Sequence, residues 1–238
     1  MRFQKFYTIA LLLGLLVSFS SNIYAQKKVY GHWSIKVVPG MEQAYYDLIA
    51  TEGMPLFKAN SEMVGWWKTM IGDLYEMITI WEYKDITTFE NGIKGSADNK
   101  TFQRFARERN TLINGETSEF LQLPEWATPP DKPIKASVII HETHKVKMGH
   151  MEPYLEYLRK EGLPGLAKAG FKIVGPFIQH SGNSDELLIL VCFENLAERD
   201  TLLGKLGGVP VGKTFGAALN EHVDSFHIKV ITPAPFMK

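Results

Sequence analysis

The apolar positions change their period along the chain, and the same changes occur twice in the same order. Tyr30 to Val38 is dense in β-branched and aromatic residues and closes on Pro39-Gly40, a turn pair, which predicts a strand. Met41 to Ala59 places Ala44, Tyr45, Leu48 and Ile49 at helical spacing, and Gly53 with Pro55 should bend or break that helix near its end. Val64–Ile71 and Tyr75–Tyr83 predict two strands joined across Gly72-Asp73, a tight hairpin signal. Ile86 to Ile113 is predicted as mostly helical with an interruption around Gly92 to Ser96, and Ser118 to Leu123 as a closing strand. The order is β-α-β-β-α-β, a ferredoxin-like unit.

The second half repeats that unit. Glu52-Gly53-Met54-Pro55 recurs as Glu161-Gly162-Leu163-Pro164, Gly40 as Gly149 and Tyr45 as Tyr154, all at one offset. After one inserted residue, Val64-Gly65 matches Val174-Gly175, Gly72 matches Gly182 and Glu76 matches Glu186. The strand Met77 to Tyr83 lies over Leu187 to Phe193, and Lys100-Thr101-Phe102 reappears as Lys213-Thr214-Phe215. Such ordered matches identify a tandem duplication. The expected domains are residues 26–123 and 134–238, with a stiff, proline-rich connector over 124–133. A four-stranded sheet covered on one face by its helices leaves the other face bare. Two such sheets packed face to face solve that problem, so the fold class is α+β, with tandem ferredoxin-like domains forming a pseudo-dimeric α/β barrel.

Four runs carry a family resemblance: Glu52-Gly-Met-Pro55, then Val64-Gly-Trp-Trp-Lys-Thr-Met-Ile-Gly72, then Glu76-Met-Ile-Thr-Ile-Trp-Glu-Tyr83, then Thr101-Phe-Gln-Arg-Phe105. Together they resemble the NIPSNAP domain of the dimeric α/β-barrel superfamily, over nearly all of the first copy and more faintly over the second. The resemblance implies the barrel and leaves activity open, because the superfamily includes cofactor-free monooxygenases, haem proteins and members without known activity. Where the family usually has a Glu-Leu-Arg-x-Tyr-like first strand, this chain has Gly31-His32-Trp33-Ser34-Ile35, and Ile140-His141-Glu142-Thr143-His144 in copy two. The family's frequent third-strand histidine is Thr79 here and Ile189 in copy two, so its polar roles do not transfer.

Residues 1–25 predict a secretory signal: Arg2 and Lys5, an apolar run from Ile9 to Val17 too short to span a bilayer, and cleavage after Ala25. Export to a bacterial periplasm or the exterior follows. No later stretch is apolar enough for a membrane span. The chain has 26 basic and 26 acidic residues, and loss of the leader tips the remainder slightly acidic. That balance argues against nucleic acid as a partner. Cys192 is the sole cysteine, so no internal disulfide forms, and its apolar strand predicts a buried hydrophobe rather than a nucleophile.

His32 and His141 occupy equivalent positions on the two opening strands, which makes them the catalytic candidates: a symmetric acid/base pair able to line a shared cavity. His141 and His144 are three apart on a strand and should face opposite ways, so they cannot chelate one metal. No metal site is predicted. Gly207-Gly-Val-Pro-Val-Gly-Lys-Thr214 matches the phosphate-loop pattern by letter, but it follows a helix rather than a strand and Pro210 removes an amide. It reads as a break between helices. Asn99-Lys-Thr101 is a glycosylation sequon, meaningful only in a eukaryotic host. Trp33, Trp66, Trp67, Trp81 and Phe177 lie in predicted strands and are the ligand-binding candidates, with Trp66 and Trp67 sent to opposite faces. They either line a pocket for a small apolar molecule between the sheets or fill the core. No cofactor is required, and haem is the one the resemblance allows. The alternatives to ligand binding are a cofactor-independent or haem-linked oxygenase and a non-catalytic assembly module. Monomer and homodimer are both compatible with fused copies.

Overall fold

A computed structural model of the chain describes residues 27–181 and 185–237, so the signal expected over 1–25 lies outside the described residues. Copy one runs β1 (Val29–Val37), α1 (Glu42–Leu48), α2 (Met54–Lys58), β2 (Glu62–Ile71), β3 (Glu76–Tyr83), α3 (Ile86–Asp98), α4 (Lys100–Asn110) and β4 (Ile113–Gln122). Copy two repeats it as β5 (Val138–Val146), α5 (Met151–Tyr157), α6 (Leu163–Lys168), β6 (Lys172–Gln179), β7 (Glu186–Phe193), α7 (Leu196–Leu206), α8 (Pro210–His222) and β8 (Val223–Pro233).

The predicted bend in the first helix is a π-helical turn, Ile49–Gly53, and copy two has its twin at Leu158–Gly162. Pro55 and Pro164 follow these turns. Each lacks an N–H, and each ring displaces the carbonyl four residues back, so the helix widens there instead of continuing at α pitch. The second helical stretch departs from expectation. It is interrupted at Asn99, not around Gly92 to Ser96, because the Asn99 side chain accepts hydrogen bonds from the Thr101 and Phe102 amides and starts a new helix. The closing strand begins at Ile113 rather than Ser118. Its first half, Asn114-Gly-Glu-Thr-Ser118, is exposed, and so carries no apolar period that could announce a strand. The phosphate-loop lookalike falls between α7 and α8, where a Cβ on Gly212 would overlap the Leu206 carbonyl. Gly212 serves the close approach of α8 to the end of α7.

The eight strands close into one barrel in the order β1-β3-β2-β8-β5-β7-β6-β4. Each copy supplies four antiparallel strands, and two seams join them: β2 to β8, with Thr69 opposite Ile231, and β4 to β6, with Leu121 opposite Gln179. Closure removes the bare faces foreseen from sequence. The inward side chains form one core of Tyr30, Trp67, Ile78, Ile80, Leu121, Phe177, Leu188, Leu190 and Ile231, drawn from both copies. Cys192 belongs to it, and burial pushes its thiol up to about 11. The connector strap is tied to copy one: the Ile134 amide donates to the Val64 carbonyl, and Lys132 bonds Glu82 and Glu62. Past β8 the chain returns to copy one, where the Ala234 amide donates to the Trp66 carbonyl and Phe236 packs edge-on to the Trp66 ring.

Candidate functional site

Alternation along β2 separates the adjacent tryptophans as expected. Trp66 joins the cluster between the sheet and helices of copy one, while Trp67 lies in the barrel core. Phe177 is the copy-two counterpart of Trp67, and its ring meets Tyr30 edge-on inside the barrel. The space between the sheets, where the sequence placed a ligand, is therefore occupied by side chains including two of the five candidate rings.

The cavity lies one layer further out. Between the copy-one sheet and its helices is a space of about 680 Å³ bordered by Trp33, Trp66 and Trp81 on the sheet side and by Phe57, Phe102 and Phe105 on the helix side. Three of the five candidate aromatics thus meet in one place. Trp33 reaches it because Gly31, two residues earlier on the same face, has no Cβ; a methyl there would overlap the Trp33 ring outright. Helix α3 roofs the space with Gly92 and Gly95 and has no buried side chain of its own.

One end of the cavity is polar. Arg109 Nη2 lies 2.5 Å from Glu116 Oε1, and the buried Tyr45 phenol, held above its ordinary value by desolvation, sits beside the same guanidinium. Ser118, Glu119 and Tyr83 complete the polar edge. Burial raises the Tyr83 phenol, so it stays protonated at neutral pH. Arg109, Glu116 and the phenylalanines were not singled out from sequence. Phe102, Phe105 and Arg109 recur at helical spacing along α4, a signal that marks one face without saying what it faces.

His32 and His141 do come together as the repeat predicted, but in the barrel interior rather than in the cavity. Their Nε2 atoms are 3.2 Å apart, and the two residues are 7% and 3% exposed. Glu119 Oε2 accepts from His32 Nδ1 at 3.2 Å, which leaves His32 Nε2 as the acceptor for a proton on His141 Nε2. His141 Nδ1 is then unprotonated, and it has no hydrogen-bond partner among the described residues. Burial first, then the neighbouring His32, Lys229 and His227, holds His141 well below the usual imidazole range. The His32 hydrogen bond in turn lowers the Glu119 carboxyl. The pair is a clasp between the two opening strands, closed to a small molecule.

His144 faces the other way, as its spacing required. Its Nδ1 meets the Tyr154 hydroxyl at 2.8 Å and its Nε2 lies 2.9 Å from Glu142 Oε1. Among the described residues no group of three or more His, Cys, Asp or Glu could hold a metal ion, and no helix is long and apolar enough to cross a membrane.

In copy two the equivalent helix–sheet space is filled. Trp33, Trp66, Thr79 and Trp81 correspond to Glu142, Pro176, Ile189 and Val191, and the layer is packed by Leu166, Ile173, Val191, Val211 and Phe215. A Cβ on Gly165 would overlap Val211. The duplication has kept the frame in both copies and the cavity in the first.

The family model described as NIPSNAP matches residues 34–128 and 142–238. No curated protein matches the sequence. Among solved structures, a provisionally assigned monooxygenase from Fusobacterium nucleatum is similar at 10% identity and TM-score 0.65, over 88% of this chain and 93% of that one. One from Lactobacillus acidophilus NCFM, with the same provisional assignment, is similar at 13% identity and TM-score 0.61, over 87% of this chain and 93% of that one. An anthrone oxidase-like protein is similar at 8% identity and TM-score 0.60, over 88% of this chain and 92% of that one.

Proposed function

The chain belongs to the NIPSNAP family, with two family domains closed into one barrel, and on that premise we propose that it binds a flat, largely apolar small molecule in its first domain. The observation that carries this is the copy-one cavity, walled by three tryptophans and several phenylalanines, with an Arg109–Glu116 pair at one end. Aromatic walls favour planar ligands through stacking and edge contacts, and a few polar groups orient them. The filled counterpart in copy two supports the same reading, since packing alone would have filled both. Haem does not fit this lining. Its iron needs an axial ligand, the lining contains no His, Cys or Met, and Tyr83 is held as the neutral phenol.

Small molecules released from protein purified from its native host and identified by mass spectrometry test the proposal. Gly95 borders the cavity with open space where its Cβ would stand, so Gly95→Trp should block the site without disturbing the core. An aromatic compound that co-purifies with the wild type and is lost from Gly95→Trp is the expected result. Equal recovery from both proteins, or none from either, overturns it. Oxygenation of the bound molecule without a cofactor is the second reading, drawn from the two full-length structural neighbours provisionally assigned as monooxygenases. Oxygen uptake on adding the released compound decides it. We also place the protein outside the cytoplasm on the strength of residues 1–25; a mature N-terminus at Gln26 in material from the native host is the expected finding.

A further inference from the structure

The two copies set the same helix over their sheets and secure it differently. Helices α3 and α7 start alike: Asp85 and Asn195 are both extended, and each side chain accepts from the amide three residues on, that of Thr88 or Glu198. Counted from those caps, Leu202 and Leu206 of α7 correspond to Gly92 and Ser96 of α3. In copy two both leucines pack against the helix–sheet core. In copy one Gly92 and Ser96 border the cavity, and no side chain of α3 joins a core cluster. One half-buried ring, Phe89, holds α3 down, edge-on to Tyr83 and Phe120 with ring centroids 5.1 and 4.4 Å away. Ile86 and Ile93 are 37% and 54% exposed. Among the described residues, the one hydrogen bond from α3 to another helix or strand runs from the Gln103 side chain to the Ala97 carbonyl, beside the end of the helix. At that end Asn99 is extended, and its side chain caps α4. Element-terminal residues of this kind absorb hinge rotations, so α3 can turn at Asp85 and Asn99 with its own hydrogen bonds and those of α4 intact.

We propose that α3 is a lid over the copy-one cavity: it swings about Asp85 and Asn99 to admit the ligand and is held shut by the molecule beneath it. Local opening costs little where few apolar side chains leave a packed layer. To open, α3 withdraws one ring, whereas α7 would have to pull two leucines out of a core. A flat molecule lying under Gly92 and Gly95 takes the place that Leu202 and Leu206 fill in copy two, so binding and closure become one equilibrium. The gating rests on the cavity being the binding site, as proposed above. The mobility of α3 does not, since it follows from packing alone.

Hydrogen exchange of the mature chain, read by mass spectrometry, tests the motion with no ligand present. Amides of α3 should exchange at least about tenfold faster than those of α7, as an unanchored segment does. Equal protection of the two helices overturns the lid. A staple tests the gating. A Cβ on Gly92 would stand 3.8 Å from the Asn60 Cβ, and the mean separation across a disulfide is ~3.8 Å. Asn60→Cys combined with Gly92→Cys should therefore pin α3 in place when oxidised, and Cys192 is buried and does not compete. The probe is N-phenyl-1-naphthylamine, a neutral aromatic dye that brightens in apolar surroundings, followed by stopped flow. In the oxidised double variant its uptake and release should both slow at least about tenfold, as for a site reached through a moving lid, and reductant should restore the wild-type rates. Unchanged rates in the oxidised form overturn the gating. Dye binding retained in Gly95→Trp would instead sink the cavity reading, and exchange alone would then decide whether α3 moves.

Discussion

Acidification should weaken this fold through one buried ring. His141 is neutral in the folded chain and, once unfolded, returns to an ordinary value near 6.5. A depressed folded value means the unfolded state binds the extra proton first as pH falls. The stability tied to a neutral His141 is therefore present in full above about pH 6.5 and is lost on the way down to the folded value. One proton sets the slope at ~1.4 kcal/mol per pH unit, so the loss between pH 7 and pH 5 is at most about 2 kcal/mol. Groups acting on the ring are His32 from β1 and Lys229 and His227 from β8, with Glu119 from β4 on the far side of His32. Lys229 and any charge on His32 oppose a second positive charge, and Glu119 is already bonded to His32. Urea unfolding at pH 7 and pH 5, on wild type and on His141→Gln, isolates the contribution, because the Gln amide can still donate to His32 Nε2. The variant should be less stable at pH 7 and should lose much less on acidification. Parallel losses in both proteins would show that His141 is not the group that titrates.

Trp33 and Trp67 separate binding from packing. Trp67→Ala empties part of the barrel core and should cost about 3–5 kcal/mol in urea unfolding, with ligand recovery retained at a temperature where the variant is folded. Trp33→Ala should do the reverse, losing the bound molecule at small cost in stability. The buried pair between Lys229 Nζ and Glu76 Oε2, at 2.7 Å, joins copy two to copy one with side chains 12% and 2% exposed. Lys229→Met alone strands the Glu76 charge and should cost about 3–5 kcal/mol, most of it restored by adding Glu76→Gln. A double variant no more stable than the single would assign the loss to packing of the lysine stem.

The sequence is most legible where neighbouring residues carry the information. Period and turn chemistry mark the strands of copy one except the first half of β4, and the offset between copies puts His32 and His141 at equivalent positions on the two opening strands. Legibility is lost where a signal is weak locally. Asn114 to Ser118 form a strand because β1 is there to pair with, not because of their own pattern. Asn99 is a helix start that its bland surroundings hid. Arg109 and Glu116 are separated by a turn and a change of element, so nothing in the sequence joins them until α4 and β4 pack.

The chain by itself settled the duplication, the element order and the facing of side chains, including the split of Trp66 from Trp67 and of His141 from His144. These follow from alternation and from the repeat, which are local properties of a polypeptide. Tertiary structure decided the rest. Closing eight strands filled the space between the sheets, sealed the histidine pair in the core and moved the cavity to the helix side of copy one. Val211 against Gly165 filled the matching space in copy two. Whether a given ring lines a cavity or plugs one depends on which distant side chains arrive opposite it, and only the packed chain sets that.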